Sequence, residues 1–150
     1  MTAWTSDDVI AREQIRDLVA RYNMYCDTGR FDDMMACFTP DAHYRELLLG
    51  HDPLDCIGRA EIRAAIDAVR VDWEAASGAS TGLFIRHCVA THVISLDSDH
   101  TASGSAYVLV VRPGGLDHWG RYKDRYVKLG DEWFIEDRVA RMEGQISGPS

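Results

Sequence analysis

Three side chains in this sequence have the types and spacing for acid–base chemistry. Tyr22 and Asp27 lie in Arg21-Tyr22-Asn23-Met24-Tyr25-Cys26-Asp27-Thr28-Gly29, and His87 lies far downstream in Phe84-Ile85-Arg86-His87-Cys88-Val89. An imidazole exchanges protons near neutral pH, which makes His87 the candidate general base. A carboxylate on the far ring nitrogen fixes the tautomer and steadies the imidazolium, the part open to Asp27. A phenol can donate to an oxygen that gains charge, the part open to Tyr22. Each residue also has a structural reading. His87 can bond a neighbouring strand, Asp27 can serve a helix-end turn beside Thr28-Gly29, and Tyr22 can be a core tyrosine with its hydroxyl at the rim. Five helical residues rotate about 140°, so Tyr22 and Asp27 converge only where the helix ends or bends. Tyr25, about 60° round from Tyr22, competes for the inward place.

The elements that must position these groups can be read in outline. Thr5 or Ser6 can cap a helix, with Asp7 and Asp8 in its first turn. Val9, Ile10, Ile15, Leu18, Val19, Tyr22 and Cys26 recur at helical spacing and predict one long helix ending near Thr28-Gly29. A short second helix is expected over Asp32 to Phe38, stopped by Pro40. Ala42 to Leu48 reads as a strand, and Gly50 to Asp55 as a loop. Ile62, Ala65, Ile66, Val69 and Trp73 predict a third helix. The stretch Ser77 to Gly82 reads as the most flexible.

From Phe84 onward the chain is rich in Val, Ile, Tyr, Phe and Trp, in four runs split by turn residues. The runs are Phe84 to Leu96, Thr101 to Val111, Trp119 to Leu129 and Trp133 to Met142, a hairpin-linked antiparallel meander. The tail from Glu143 is expected to be loose. Helices followed by strands predict an α+β fold, with a curved sheet around the N-terminal helices and a pocket between them. Strand parity puts His118, Gly120, Tyr122, Asp124 and Tyr126 on one face, with Arg138 able to pair with Asp124. It puts His92 on the face opposite His87. Phe38, Met34, Met35, Leu47, Leu48 and Phe84 are candidates for the apolar wall, and Tyr107 can line the pocket.

The 150 residues suit a single domain, 1–150, with 46% hydrophobic and 27% charged residues. A net charge of −8 argues against nucleic acid and against anionic membrane surfaces as partners. No stretch approaches the ~20 apolar residues of a membrane span. The four cysteines (Cys26, Cys37, Cys56, Cys88) form no zinc pattern, so each is expected to act as a small reduced hydrophobe in a cytoplasmic protein. No phosphate loop, nucleophile elbow or metal cluster is evident, which points to a reaction without cofactor or metal.

Several motifs occur together in order. They are I-x-x-L-x-x-R-Y at Ile15–Tyr22, C-D-x-G-R-F-D-D at Cys26–Asp33 and C-F-T-P-D-A-x-Y at Cys37–Tyr44. R-H-x-V at Arg86–Val89, G-R-Y-x-D-x-Y at Gly120–Tyr126 and W-x-I-x-x-R at Trp133–Arg138 follow. Over Ala11 to Met142 the chain resembles the SnoaL-like branch of the nuclear transport factor 2-like superfamily. The resemblance implies a cone-shaped α+β barrel with a deep apolar pocket. It is closest in site pattern to the bile-acid 7α-dehydratase and scytalone dehydratase lyases. By that pattern Tyr22, Asp27 and His87 are the catalytic set, and Tyr44 corresponds to a further pocket tyrosine. Tyr25, Tyr44, Phe38, Met34, Leu48, Phe84, Tyr107, Tyr122 and Arg138 are the expected substrate-binding residues.

The expected function is a lyase, first a dehydratase, acting on a small hydrophobic, polycyclic or carbonyl-bearing substrate. A polyketide-type cyclase or double-bond isomerase would use the same residues. A non-catalytic ligand-binding or subunit-assembly module is the reading from a different class. Members of the superfamily are often dimers or trimers, so a homo-oligomer is expected.

Overall fold

The computed structural model describes residues 3–77 and 85–146, with side chains to residue 71 in the first stretch. Helix α1 spans Ser6–Asp27. The Thr5 hydroxyl accepts from Asp8 N–H while the Asp8 carboxylate accepts from Thr5 N–H, a reciprocal cap. The helix ends in a Schellman turn. Gly29 sits at φ +73, its N–H donates to the Cys26 carbonyl, and the Arg30 N–H donates to the Tyr25 carbonyl. Only the left-handed conformation glycine tolerates lets the chain reverse this sharply after Asp27.

Helix α2 spans Phe31–Ala36, and strand β1 spans Phe38–Leu47. Two expectations are corrected here. Phe38 is not the last turn of a helix but the first residue of a strand. Pro40 is not a stop but lies inside that strand. Proline is tolerated because β1 slips register against its neighbour between Phe38 and His43, where no ladder bond is demanded of it. Strand β2, Leu54–Ile57, pairs antiparallel with β1 where a loop was expected. Helix α3 is Arg59–Ser77, on the expected apolar positions. The Trp73 side chain, Phe84 and most of the Ser77 to Gly82 stretch lie outside the described residues.

Strands β3 (Arg86–Leu96), β4 (Thr101–Arg112), β5 (Gly115–Leu129) and β6 (Glu132–Gln145) form the expected antiparallel meander. The tail is corrected in part: Glu143 to Gln145 continue β6, paired with β5 through Gly144 and Gln145. The sheet order is β2-β1-β6-β5-β4-β3, with β1 parallel to β6 and every other pair antiparallel. The chain therefore has an α+β fold with a mixed sheet that curls around its helices without closing.

Bulges supply the curl. At the β5–β6 shift between Trp119 and Gly120, a Cβ on Gly120 would lie 2.0 Å from the Arg141 carbonyl oxygen, so only glycine fits. A second bulge interrupts β3 between Ala90 and Val93, where Thr91 takes φ 53. This bulge overturns the parity expectation for His92. The extra residue shifts the alternation by one position, so His92 meets Tyr126 inside the sheet, Nε2 to hydroxyl 3.2 Å. His87 and His92 share the concave side.

The core lies between that concave side and the helices. Ile15, Val19 and Tyr22 of α1 pack with Phe38, Ala42, Ile94, Ala102, Tyr126 and Ile135 of the sheet. Cys88, expected among apolar neighbours, is exposed. Among the described residues, no helix is long and apolar enough to cross a membrane.

Candidate active site

A cavity of about 500 Å³ opens between the helices and the curled sheet. Asp27, the last residue of α1, and His87, the second residue of β3, meet on its wall. His87 Nδ1 is 2.6 Å from Asp27 Oδ1, and the backbone N–H of His87 donates to Asp27 Oδ2 at 3.0 Å. Two bonds from one carboxylate thus fix both ring and backbone of the histidine. The side chains are 16% and 6% exposed, which keeps solvent from competing for the pair. With Nδ1–H donated to Asp27, the neutral ring presents an unprotonated Nε2 from the cavity wall. Asp27 reaches the cavity with Tyr22 because the helix ends at Asp27.

Tyr22 lines the cavity, and among the described residues its hydroxyl donates to no protein acceptor. Burial pushes its ionisation far above the usual phenol value, against the opposing charge of Arg138. Tyr25 is only partly buried, with the Arg30 guanidinium 4.7 Å above its ring, so Tyr22 holds the inward place. Tyr44, Met34, Leu48 and Tyr122 also line the cavity.

Four of the expected substrate-binding residues do not reach it as described. Tyr25 lies aside, as above. Phe38 is fully buried behind the wall and holds Tyr22 and Tyr44 edge-on, with ring centroids 5.5 and 6.0 Å away. Arg138 is also fully buried behind the wall, its guanidinium 4.3 Å from the Tyr22 ring and 4.1 Å from the Tyr122 ring. It pairs with Asp124 through two bonds of 2.8 and 2.6 Å, as the strand register allows. Tyr107 is 52% exposed on the outer face, because its neighbours Ala106 and Val108 take the inward positions of β4. Phe84 lies outside the described residues.

Several lining residues carry no strong sequence signal. Cys26, Phe31, Ile66, Val69, Ile85, Ala140 and Met142 read as ordinary core positions. Thr28, Glu46, Arg70 and His118 are the polar additions. Glu46 shares strand parity with Tyr44, the one clue to it, and accepts from the Tyr44 hydroxyl at 2.8 Å. Burial raises the Glu46 carboxyl above its usual range, with the Tyr44 bond and His87 opposing. His118 bonds Asp117 through Nδ1 at 2.6 Å.

The donor atoms of Cys26, Asp27 and His87 lie within 4.8 Å of one another, a mixed set a transition metal could use. Two of those donors are committed to each other in the Asp27–His87 bond. Burial and then the Asp27 charge push the Cys26 thiol up to about 12, so it faces the cavity as a neutral thiol. The arrangement suits proton transfer better than ligation.

A cone of curled mixed sheet around N-terminal helices, with its cavity between them, is the nuclear transport factor 2-like or cystatin-like fold. The chain belongs to the SnoaL-like domain family, whose pattern matches residues 7–139. A proposed scytalone dehydratase from Novosphingobium aromaticivorans is similar in structure, with a TM-score of 0.76 at 16% identity over 98% of this chain and 93% of that one. A Mycobacterium tuberculosis protein of unknown function gives 0.74 at 23% identity, over 91% of this chain and 74% of that one. The β subunit of a proposed aromatic-ring-hydroxylating dioxygenase, also from Novosphingobium aromaticivorans, gives 0.66 at 20% over 93% of each chain. At these identities the likeness is one of fold. No curated protein matches the chain.

Proposed function

We propose that the chain is a lyase that eliminates water from a small, apolar, carbonyl-bearing substrate, with the Asp27–His87 pair as its base. The observation that carries this reading is the 2.6 Å Nδ1–Oδ1 contact on the wall of a cavity of about 500 Å³. His87 Nε2 takes a proton from the carbon beside the carbonyl. Asp27 holds the ring and stabilises the imidazolium. The Tyr22 hydroxyl donates to the carbonyl oxygen as it gains charge. Membership of the SnoaL-like family and the likeness to a proposed dehydratase support the reading. Isomerisation and cyclisation begin with the same proton removal and are the neighbouring reactions.

The likeness to a dioxygenase β subunit favours one reading of another class, an assembly or binding module. His87→Ala separates the two. With 3-hydroxy-1-tetralone as probe, the lyase reading expects elimination to 1-naphthol to fall by roughly 10²–10⁴-fold while thermal melting stays near wild type. Equal turnover by the variant, or none by either protein, would remove the dyad from the chemistry.

A further inference from the structure

The cavity holds a second carboxyl that the dyad does not use. Glu46 stands on β1 two residues after Tyr44, so both point to the same side of the strand. The parallel strand β6 places Ala140 beside it, and the small alanine leaves the carboxyl room in the cavity. The Tyr44 phenol donates to one carboxyl oxygen. Among the described residues no arginine or lysine forms an ion pair with Glu46. Burial moves a carboxyl so placed toward its protonated form, against the Tyr44 bond and His87.

The other groups around the cavity have their protons committed or held too tightly. Tyr122 donates its hydroxyl to Asn23 Oδ1 at 3.0 Å, and Tyr44 donates to Glu46. Cys26 is a weak donor. Asp27 and His87 are bound to each other, and His118 to Asp117. Thr28 donates its hydroxyl to the Met24 carbonyl, and Arg70 is a guanidinium that keeps its protons. Of the neutral acids on the wall, Tyr22 and Glu46 are left to meet a substrate. They differ in kind. A buried phenol keeps its proton and can only share it, whereas a carboxylic acid, even shifted upward, is by far the stronger acid.

We propose that Glu46 is the proton donor of this cavity, delivering its carboxylic proton to a hydroxyl that departs from the carbon β to the carbonyl. The inference rests on the acid–base reading of the dyad and assigns the substrate class as β-hydroxy carbonyl compounds, uncharged where they face Glu46. The step balances. His87 Nε2 removes the α-proton, the freed pair forms the C=C bond, the β C–O bond breaks, and the hydroxyl takes the Glu46 proton and leaves as water. His87 ends protonated and Glu46 ionised. Passage of one proton from the imidazolium to the carboxylate through the released water resets the site. Tyr22 meets the carbonyl oxygen throughout.

The test uses two probes and one spectroscopic readout. Elimination is followed with 3-hydroxy-1-tetralone, and proton removal alone by deuterium exchange at C2 of 1-tetralone in heavy water. Glu46→Gln should lower elimination roughly 10²-fold more than it lowers exchange, because only elimination needs the departing hydroxyl protonated. His87→Ala should lower both alike. In the wild-type protein, the Glu46 side-chain carbon, assigned by its loss in Glu46→Gln, should titrate above the exposed glutamates. Elimination and exchange falling together in Glu46→Gln, no fall in either, or a Glu46 carbon that titrates with the exposed glutamates would overturn the donor. Absence of both reactions in the wild type would instead sink the dyad, and the donor with it.

Discussion

Two carboxylate pairs lie within the same cone and have been given opposite surroundings. Asp27 meets His87 on the cavity wall, joining the end of a helix to the start of a strand. Asp124 meets Arg138 between neighbouring strands, 2% and 0% exposed and sealed behind Tyr22 and Tyr122. In the sealed pair the oxygens of Asp124 are committed to Arg138 and to the Tyr126 hydroxyl. Nothing there can exchange a proton with a ligand, and the arginine stays charged, its guanidinium held against two phenol rings. In the open pair one ring nitrogen stays available. Burial alone therefore does not mark a functional site. What separates the two pairs is whether one partner keeps an uncommitted atom that faces an accessible volume.

That contrast can be broken from either side. The largest effect is expected from Asp124→Ala, which leaves Arg138 buried without its counter-charge. Denaturant unfolding should show a loss of about 3–5 kcal/mol. A loss under about 1 kcal/mol would mean water or another group already shares that charge. Asp27→Asn should do the reverse, sparing melting while costing turnover roughly 10- to 100-fold, since the residue acts through His87. A fall in kcat with KM near wild type would support orientation and charge as its role. A variant that melts early but turns over normally would reassign Asp27 to structure.

The smallest effect lies at the inner end of the sealed network. His92 touches Tyr126, and burial, against the opposing pull of Asp124, lowers its ionisation below the ordinary 6.5. The folded protein then binds fewer protons there than the unfolded chain. The contribution is complete above 6.5 and is lost as pH falls through the lowered value. Thermal melting of His92→Asn between pH 7 and 5 should show a flatter acid limb than wild type. Parallel limbs would mean that His92 does not contribute to the acid sensitivity.

Much of this arrangement was legible in the sequence because local and global signals agreed. The amphipathic run, the Thr5 cap and Gly29 each describe α1. The turn residues between apolar runs describe the meander. The Asp27–His87 juxtaposition came from residue chemistry joined to the family resemblance, since helical rotation alone separates Tyr22 from Asp27. What stayed hidden has physical reasons. Strand β2 is four residues long and sits among loop-forming residues. Pro40 carries a strong breaker signal that a register slip cancels. Phe38 and Arg138 have the composition of pocket residues, yet the sequence does not show that a layer of tyrosines stands in front of them. Tyr107 was misplaced because alternation fixes two faces without saying which is inside. Glu46 was within reach, since strand parity ties it to Tyr44.

The single inserted residue at Thr91 divides β3 into two segments with separate duties. The half bearing His87 presents its side chains to the ligand space, while the half bearing His92, Ile94 and Leu96 seals the far end of the cone. Deleting Thr91 would restore unbroken alternation along β3 and leave both halves facing as they do now, so the extra residue acts on the bend between them and not on which side they face. One continuous strand thus keeps a single inward face from the mouth of the cone to its closed tip, and a single residue sets the angle between the two.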